Sequence, residues 1–206
     1  MTSTDDGVVS ISYTDLVAAC ADKKSNINDL IERAFSSSGL GIVAVTDVPN
    51  LPEMRLKLLP LAHKLASLPP NQLEKVTIAA SGYQVGWSHG REKLEDKYDY
   101  SKGSFYANPL TEDLAQSMLD RRKEDGDNSE ALKWDESLTK TEEEVHVLAK
   151  SCPAFFASNV WPTEDIPELE SAFKDVAQLV HQVGIMLAHC CDSFVAANVS
   201  NYCYVL

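Results

Sequence analysis

A chain of 206 residues with 31 acidic and 18 basic side chains carries a formal charge of −13. That sign disfavours nucleic acid and anionic lipid, which recruit Lys/Arg-rich surfaces by neutralising phosphate. At 44% hydrophobic the chain reads as soluble and globular, long enough to bury roughly 70% of its unfolded surface as one domain. No apolar run approaches the roughly 18 residues of a spanning helix, and the first nine residues lack a basic start and an apolar core. The expected location is therefore cytoplasmic, with no membrane partner. Five cysteines, at 20, 152, 190, 191 and 203, form no Cys-x-x-Cys and are expected as free thiols in a reducing compartment. Asn198-Val199-Ser200 matches a glycosylation acceptor, which has no meaning without secretion.

Residues 8–13, with Val8, Val9 and Ile11 among serines, read as a short strand, and Thr14 or Asp15 is placed to cap a brief helix to Ala21. Ser25 or Asn26 opens a second helix whose apolar face is Ile27, Leu30, Ile31, Ala34 and Phe35. Ser36-Ser37-Ser38-Gly39 ends it. The β-branched run in 41–46 predicts a strand buried on both faces. Gly39-Leu40-Gly41-Ile42-Val43-Ala44 superficially fits a dinucleotide fingerprint, but these glycines follow a helix and open a strand, the reverse of the required context.

Residues 51–68 predict a helix with Met54, Leu58, Leu61, Ala62 and Leu65 on one face and Pro69-Pro70 as its stop. His63 lies beside that face. A short helix over 71–76 follows. Residues 81–109 hold four glycines and six aromatics without helical period, so they read either as a binding loop or as a pair of short strands with a polar turn. Lys102, Ser104, Tyr106 and Asn108 alternate around Phe105 and, on a strand, share a face able to meet a polar ligand. His89 has no second ligand at a metal-binding spacing.

Residues 112–144 contain twelve acidic and five basic side chains, which predicts mostly solvated helix and loop. Asp125-Gly126-Asp127-Asn128 lacks the order and the closing glutamate of a calcium loop. Thr141 and Glu144 have capping-box spacing. Beyond Asn159-Val160-Trp161-Pro162, one long amphipathic helix is expected over about 168–195. Its stripe is Leu169, Phe173, Val176, Val180, Val183, Leu187, Cys191 and Phe194, with Pro167 in its first turn and acidic residues at its start.

Taken in order, these segments resemble the N-terminal region of the isopenicillin-N-synthase-like dioxygenases, non-haem iron enzymes that mostly use 2-oxoglutarate. The opening strand and Asp15-Leu16, the helix end, strand and turn over 34–49, the Leu-Pro and Glu-Lys segment over 65–75, Gly82-Tyr83 through 102–106, and Asn159 to Pro162 carry the resemblance. Leu40 and the acidic insert at 112–144 depart from the commoner pattern. The resemblance implies an α+β class: a helix-rich region over 1–206 with few strands, ending in the long helix, without the family's catalytic jelly roll. It also makes Lys102, Ser104, Tyr106 and Asn108 substrate-pocket candidates.

The family's iron is held by His-x-Asp and a distant histidine, with an Arg-x-Ser for the 2-oxoglutarate carboxylate. Two residues beyond His63, His89, His146, His181 and His189 stand Leu65, Arg91, Leu148, Val183 and Cys191, so no His-x-Asp is present. The nearest substitute is His189 with Asp192. The expectation is a truncated oxygenase-like chain with no catalytic or metal residues of its own, no cofactor, and inactivity alone; Fe(II), 2-oxoglutarate and a small-molecule substrate belong to the full-length family. The alternative is an acidic helical interaction module pairing with another protein. Self-association through exposed strands or the helix stripe is a further expectation.

Overall fold

The computed structural model describes residues 7–21, 27–124 and 140–198. Outside these fall Ser25 and Asn26, the pseudo-calcium loop at 125–128, much of the acidic tract, Val199 and Ser200 of the glycosylation match, and Cys203. The architecture is mixed α/β, helix-rich with a few short strands, and ends in a long helix. It divides into two compact units, Met1–Arg55 with Val176–Leu206, and Leu56–Asp175.

In the first unit, β1 (Val9–Ser12) buries Val9 and Ile11 and leaves its serines half-buried, the period-two pattern of a strand with one core face. α1 (Tyr13–Ala21) follows without a linker. The Ser12 hydroxyl accepts the Asp15 amide at 3.1 Å and donates to the Asp15 carboxylate at 2.7 Å. Ser12, rather than Thr14 or Asp15, thus does the capping, because helical geometry begins one residue earlier than the sequence suggests. α2 (Asn28–Phe35) buries Ile31 and Ala34, next to buried Ile27, while Phe35 stays exposed.

The chain then folds back, with the Gly41 amide donating to the Ala34 carbonyl at 2.8 Å. At Gly39 an added Cβ would lie 2.4 Å from that same oxygen, so the approach requires glycine. β2 (Val43–Thr46) pairs parallel with β1, Val9 opposite Val43 through Ser12 opposite Thr46. Its residues are half-buried to exposed, not buried on both faces as the β-branched run predicts. Among the described residues the sheet has only these two strands.

The core here is Ile11, Leu16, Ile27, Ile31 and Cys190, flanked by Val183, Met186, Leu187, Cys191 and Phe194 of the last helix, α8 (Leu169–Asn198). The C-terminal half of the predicted stripe thus packs on this core while staying partly exposed. Val180 and Ile185 remain exposed. Pro167 precedes the helix, whose first turn begins at Leu169. One 18-residue window of α8 averages a hydropathy of 1.3, long and apolar enough to cross a membrane by length and composition. No uninterrupted apolar run signals this, because Gln178, His181, Gln182 and His189 break the run without adding full charges.

The second unit holds most of α3 (Leu51–Ala66), with Pro60 inside it; that proline removes one helical donor, and the helix continues past it. Ala62 is exposed, whereas Leu65 is fully buried. α4 (Pro70–Lys75) starts on its proline. The glycine-rich stretch resolves into strands: β3 (Gly86–His89) pairs antiparallel with β6 (Gly103–Tyr106), and β4 (Lys93–Leu94) with β5 (Lys97–Tyr98) extends the hairpin. Trp87 and Phe105 face each other across the ladder and pack on Leu65, Ile166 and Leu169. α5 (Leu114–Glu124), α6 (Glu142–Ser151) and α7 (Pro153–Phe156) complete the unit. α6 opens with the expected capping box: the Glu144 amide donates to the Thr141 hydroxyl at 3.2 Å, and the Thr141 amide to the Glu144 carboxylate at 2.7 Å.

Candidate functional site

The Asn159-Val160-Trp161-Pro162 segment ties the end of β6 to the approach of α8. Asn159 accepts the Asn108 amide at 2.7 Å and donates to the Asn108 carbonyl at 2.8 Å and the Thr111 carbonyl at 3.3 Å. One side-chain amide thus satisfies three backbone groups of a segment that has left its strand. Trp161 lies 5.6 Å, centroid to centroid, from both Phe105 and Phe173, and Phe105 meets Phe173 edge-on at 6.3 Å. The carbonyl of buried Pro162 accepts the amides of Asp165 and Ile166, closing the turn into α8.

Beside this cluster opens a cleft of about 370 Å³ whose lining includes Gln84, Tyr106, Asn108, Glu112, Phe155 and Phe173. The size and the mix of aromatic walls with few polar groups suit a small amphipathic molecule. At its rim Glu112 is bonded to Lys174 and, at 3.4 Å, accepts the Trp161 indole N–H. Lys174 also bonds Glu170 at 2.6 Å and lies 5.6 Å from the Trp161 ring centroid. Partial burial pushes the Glu112 carboxyl up, but hydrogen bonds from Lys174, Asn159 and Trp161 outweigh it and leave the group below its ordinary value. The bonds to Glu112 and Glu170 hold the Lys174 ammonium above its own. The pair is charged at neutral pH, so Glu112 can accept a hydrogen bond from a ligand but holds no proton to give.

The four sequence candidates do not converge. Tyr106 and Asn108 line the cleft, with Asn108 committed through its backbone to Asn159. Lys102 and Ser104 border a separate recess of about 10 Å³ with Ser88, His89, Glu92 and Asp99, too small for more than a water. Lys102 sits 2.9 Å from Glu92, and that bond raises its ammonium above the usual value. Only Ser104 and Tyr106 share a strand face; Lys102 and Asn108 lie beyond the ends of β6. Glu112, Lys174 and Phe155 were missed. By sequence Glu112 belongs to the acidic tract and reads as solvated charge; its proximity in space to Lys174, Asn159 and Trp161 gives it partners.

His89 Nε2 donates to the Tyr100 carbonyl at 3.1 Å and so staples the hairpin. His189 is exposed while Asp192 is buried, so the one substitute pair does not present a common face. Among the described residues no group of three or more His, Cys, Asp or Glu side chains is placed to hold a metal ion. Comparison with protein-family models, curated proteins and solved structures returns no match for this chain.

Proposed function

We propose that these 206 residues act as the N-terminal region of an isopenicillin-N-synthase-like oxygenase: a scaffold and one wall of a small-molecule pocket, not competent for turnover alone. The observation that carries this reading is the parallel pair β1–β2. Parallel strands occur almost only inside larger sheets covered on both faces, yet here two strands pair parallel with β2 half-exposed and Ile42 beside it 53% exposed. Such a pair calls for further strands, which the resemblance supplies as a jelly roll. The segment order supports the same reading, and the cleft at Tyr106 and Phe173 gives a small substrate a place to rest. Fe(II) and 2-oxoglutarate would supply oxygen activation in the assembled enzyme; their ligand motifs are not in this sequence.

The cytoplasm remains the proposed location. Val183, Leu187 and Cys191 of α8 pack, partly buried, against the core around Ile11 and Leu16, while 11% of the helix's apolar window is buried. An acidic module that pairs with another protein is the second reading, and it draws on Leu56 and Leu59 of α3, which are 74% and 55% exposed.

Oxygen consumption by the purified chain with ferrous iron, 2-oxoglutarate and ascorbate tests the first reading. The expected rate equals the protein-free blank. Stoichiometric, iron-dependent consumption of 2-oxoglutarate would overturn it.

A further inference from the structure

α1 and α8 bring two thiols into contact. Cys20 Sγ lies 3.6 Å from Cys190 Sγ, across a sequence separation of 170 residues, and 3.3 Å from the Met186 carbonyl. Both cysteines are free. Cys20 is exposed, whereas Cys190 sits in the core with Ile11, Leu16 and Ile31. The pair has an asymmetry suited to oxidation in two steps: one sulfur open to solvent, and the other held against it in an apolar wall. Burial, with the Cys20 thiol as a second cause, pushes the Cys190 thiol up to about 12. Cys190 is thus kept protonated at neutral pH.

We propose that Cys20 and Cys190 form a peroxide-sensitive disulfide latch between α1 and α8. The Cys20 thiolate attacks one oxygen of a hydroperoxide; the O–O bond breaks, the leaving oxygen takes a proton, and a sulfenic acid forms on Cys20. The Cys190 sulfur then attacks the Cys20 sulfur. The S–S bond forms as the S–O bond breaks, and the hydroxide leaves with the Cys190 proton as water. Two thiols give up two electrons and the peroxide is reduced. The bond closes a long loop, which restricts the unfolded chain strongly, and it fixes the helix pair that covers the open β1–β2 sheet. The proposal stands independently of the oxygenase reading.

The test is hydrogen peroxide treatment of the intact, folded chain, followed by intact mass and peptide mapping under non-reducing conditions. The expected product has lost two hydrogens, links the Cys20 peptide to the peptide carrying Cys190 and Cys191, and melts roughly 5–10 °C higher than the reduced form. Because Cys190 and Cys191 share a peptide, variants assign the sulfur. The link is expected to survive Cys191→Ser and to vanish in Cys190→Ser. It should also vanish in Cys20→Ser, whose exposed site leaves the fold intact. A link that persists in Cys190→Ser, or a Cys20 that proceeds to sulfinic acid with no link in the native sequence, would overturn the latch.

Discussion

The two units solve the problem of a short strand pair differently. In the unit around β3 and β6, antiparallel strands place Trp87 and Phe105 on a floor of Leu65, Ile166 and Leu169, and Asn159 ties down the chain beyond the last strand. In the unit around β1 and β2, parallel strands have one face on α1, α2 and the end of α8, while β2 remains half-exposed. The first arrangement is stabilised by the residues packed beneath it, since a two-stranded hairpin needs such packing to stand. The second leaves β2 half-exposed beside its core, and that difference motivates the proposal that β1–β2 belongs to a larger sheet.

The largest effect is expected at Leu16, which is fully buried in the β1–β2 unit. Leu16→Ala should cost about 3 kcal/mol and abolish amide protection in β1 and α2. Trp87 and Trp161 fall within the unit Leu56–Asp175, so their fluorescence should be unchanged. Loss of the tryptophan signal in step with β1 protection would break the comparison by making the two units one cooperative block.

Asn159→Ala comes next, at roughly 1–3 kcal/mol, because it strands backbone groups of Asn108 and Thr111. Its signature is a lower urea midpoint by tryptophan fluorescence with β1–β2 exchange unaltered.

The smallest effect is electrostatic. The Glu112 carboxyl lies below its ordinary value of 4.5 in the folded chain, so its contribution is present above that pH and lost as pH falls through the depressed value. Lys174 lies above 10.5, so its contribution is present below 10.5 and lost as pH rises through the raised value. Fluorescence of Trp161, bonded to Glu112, should therefore shift below about pH 4.5. Glu112→Gln should remove that shift, and an unchanged acid transition in the variant would detach Glu112 from the cluster.

Local patterns carried most of the fold. The strand at Val9–Ser12, the Thr141–Glu144 capping box, the stop at Pro69-Pro70 and the long helix follow from spacing and capping chemistry, which act within a few residues. The candidate site was only half legible. Tyr106 and Asn108 reach the cleft, but Lys102 pairs locally with Glu92 because alternation predicts a face and not where a strand ends. Glu112 and Lys174 are 62 residues apart in sequence and meet only through the turn at Pro162, a contact that periodicity cannot signal. Nor could the burial of β2 be read from its β-branched residues, since burial on both faces depends on neighbouring strands.

The most direct test of the unequal-units account is hydrogen exchange by mass spectrometry across a urea series. Peptides covering Val9–Ser12 and Val43–Thr46 are predicted to lose protection in low urea, well before those covering Gly86–His89 and Gly103–Tyr106. A single cooperative transition shared by all four strands, with stability in the range of about 5–15 kcal/mol usual for complete domains, would contradict the claim that the β1–β2 sheet is unfinished in this chain.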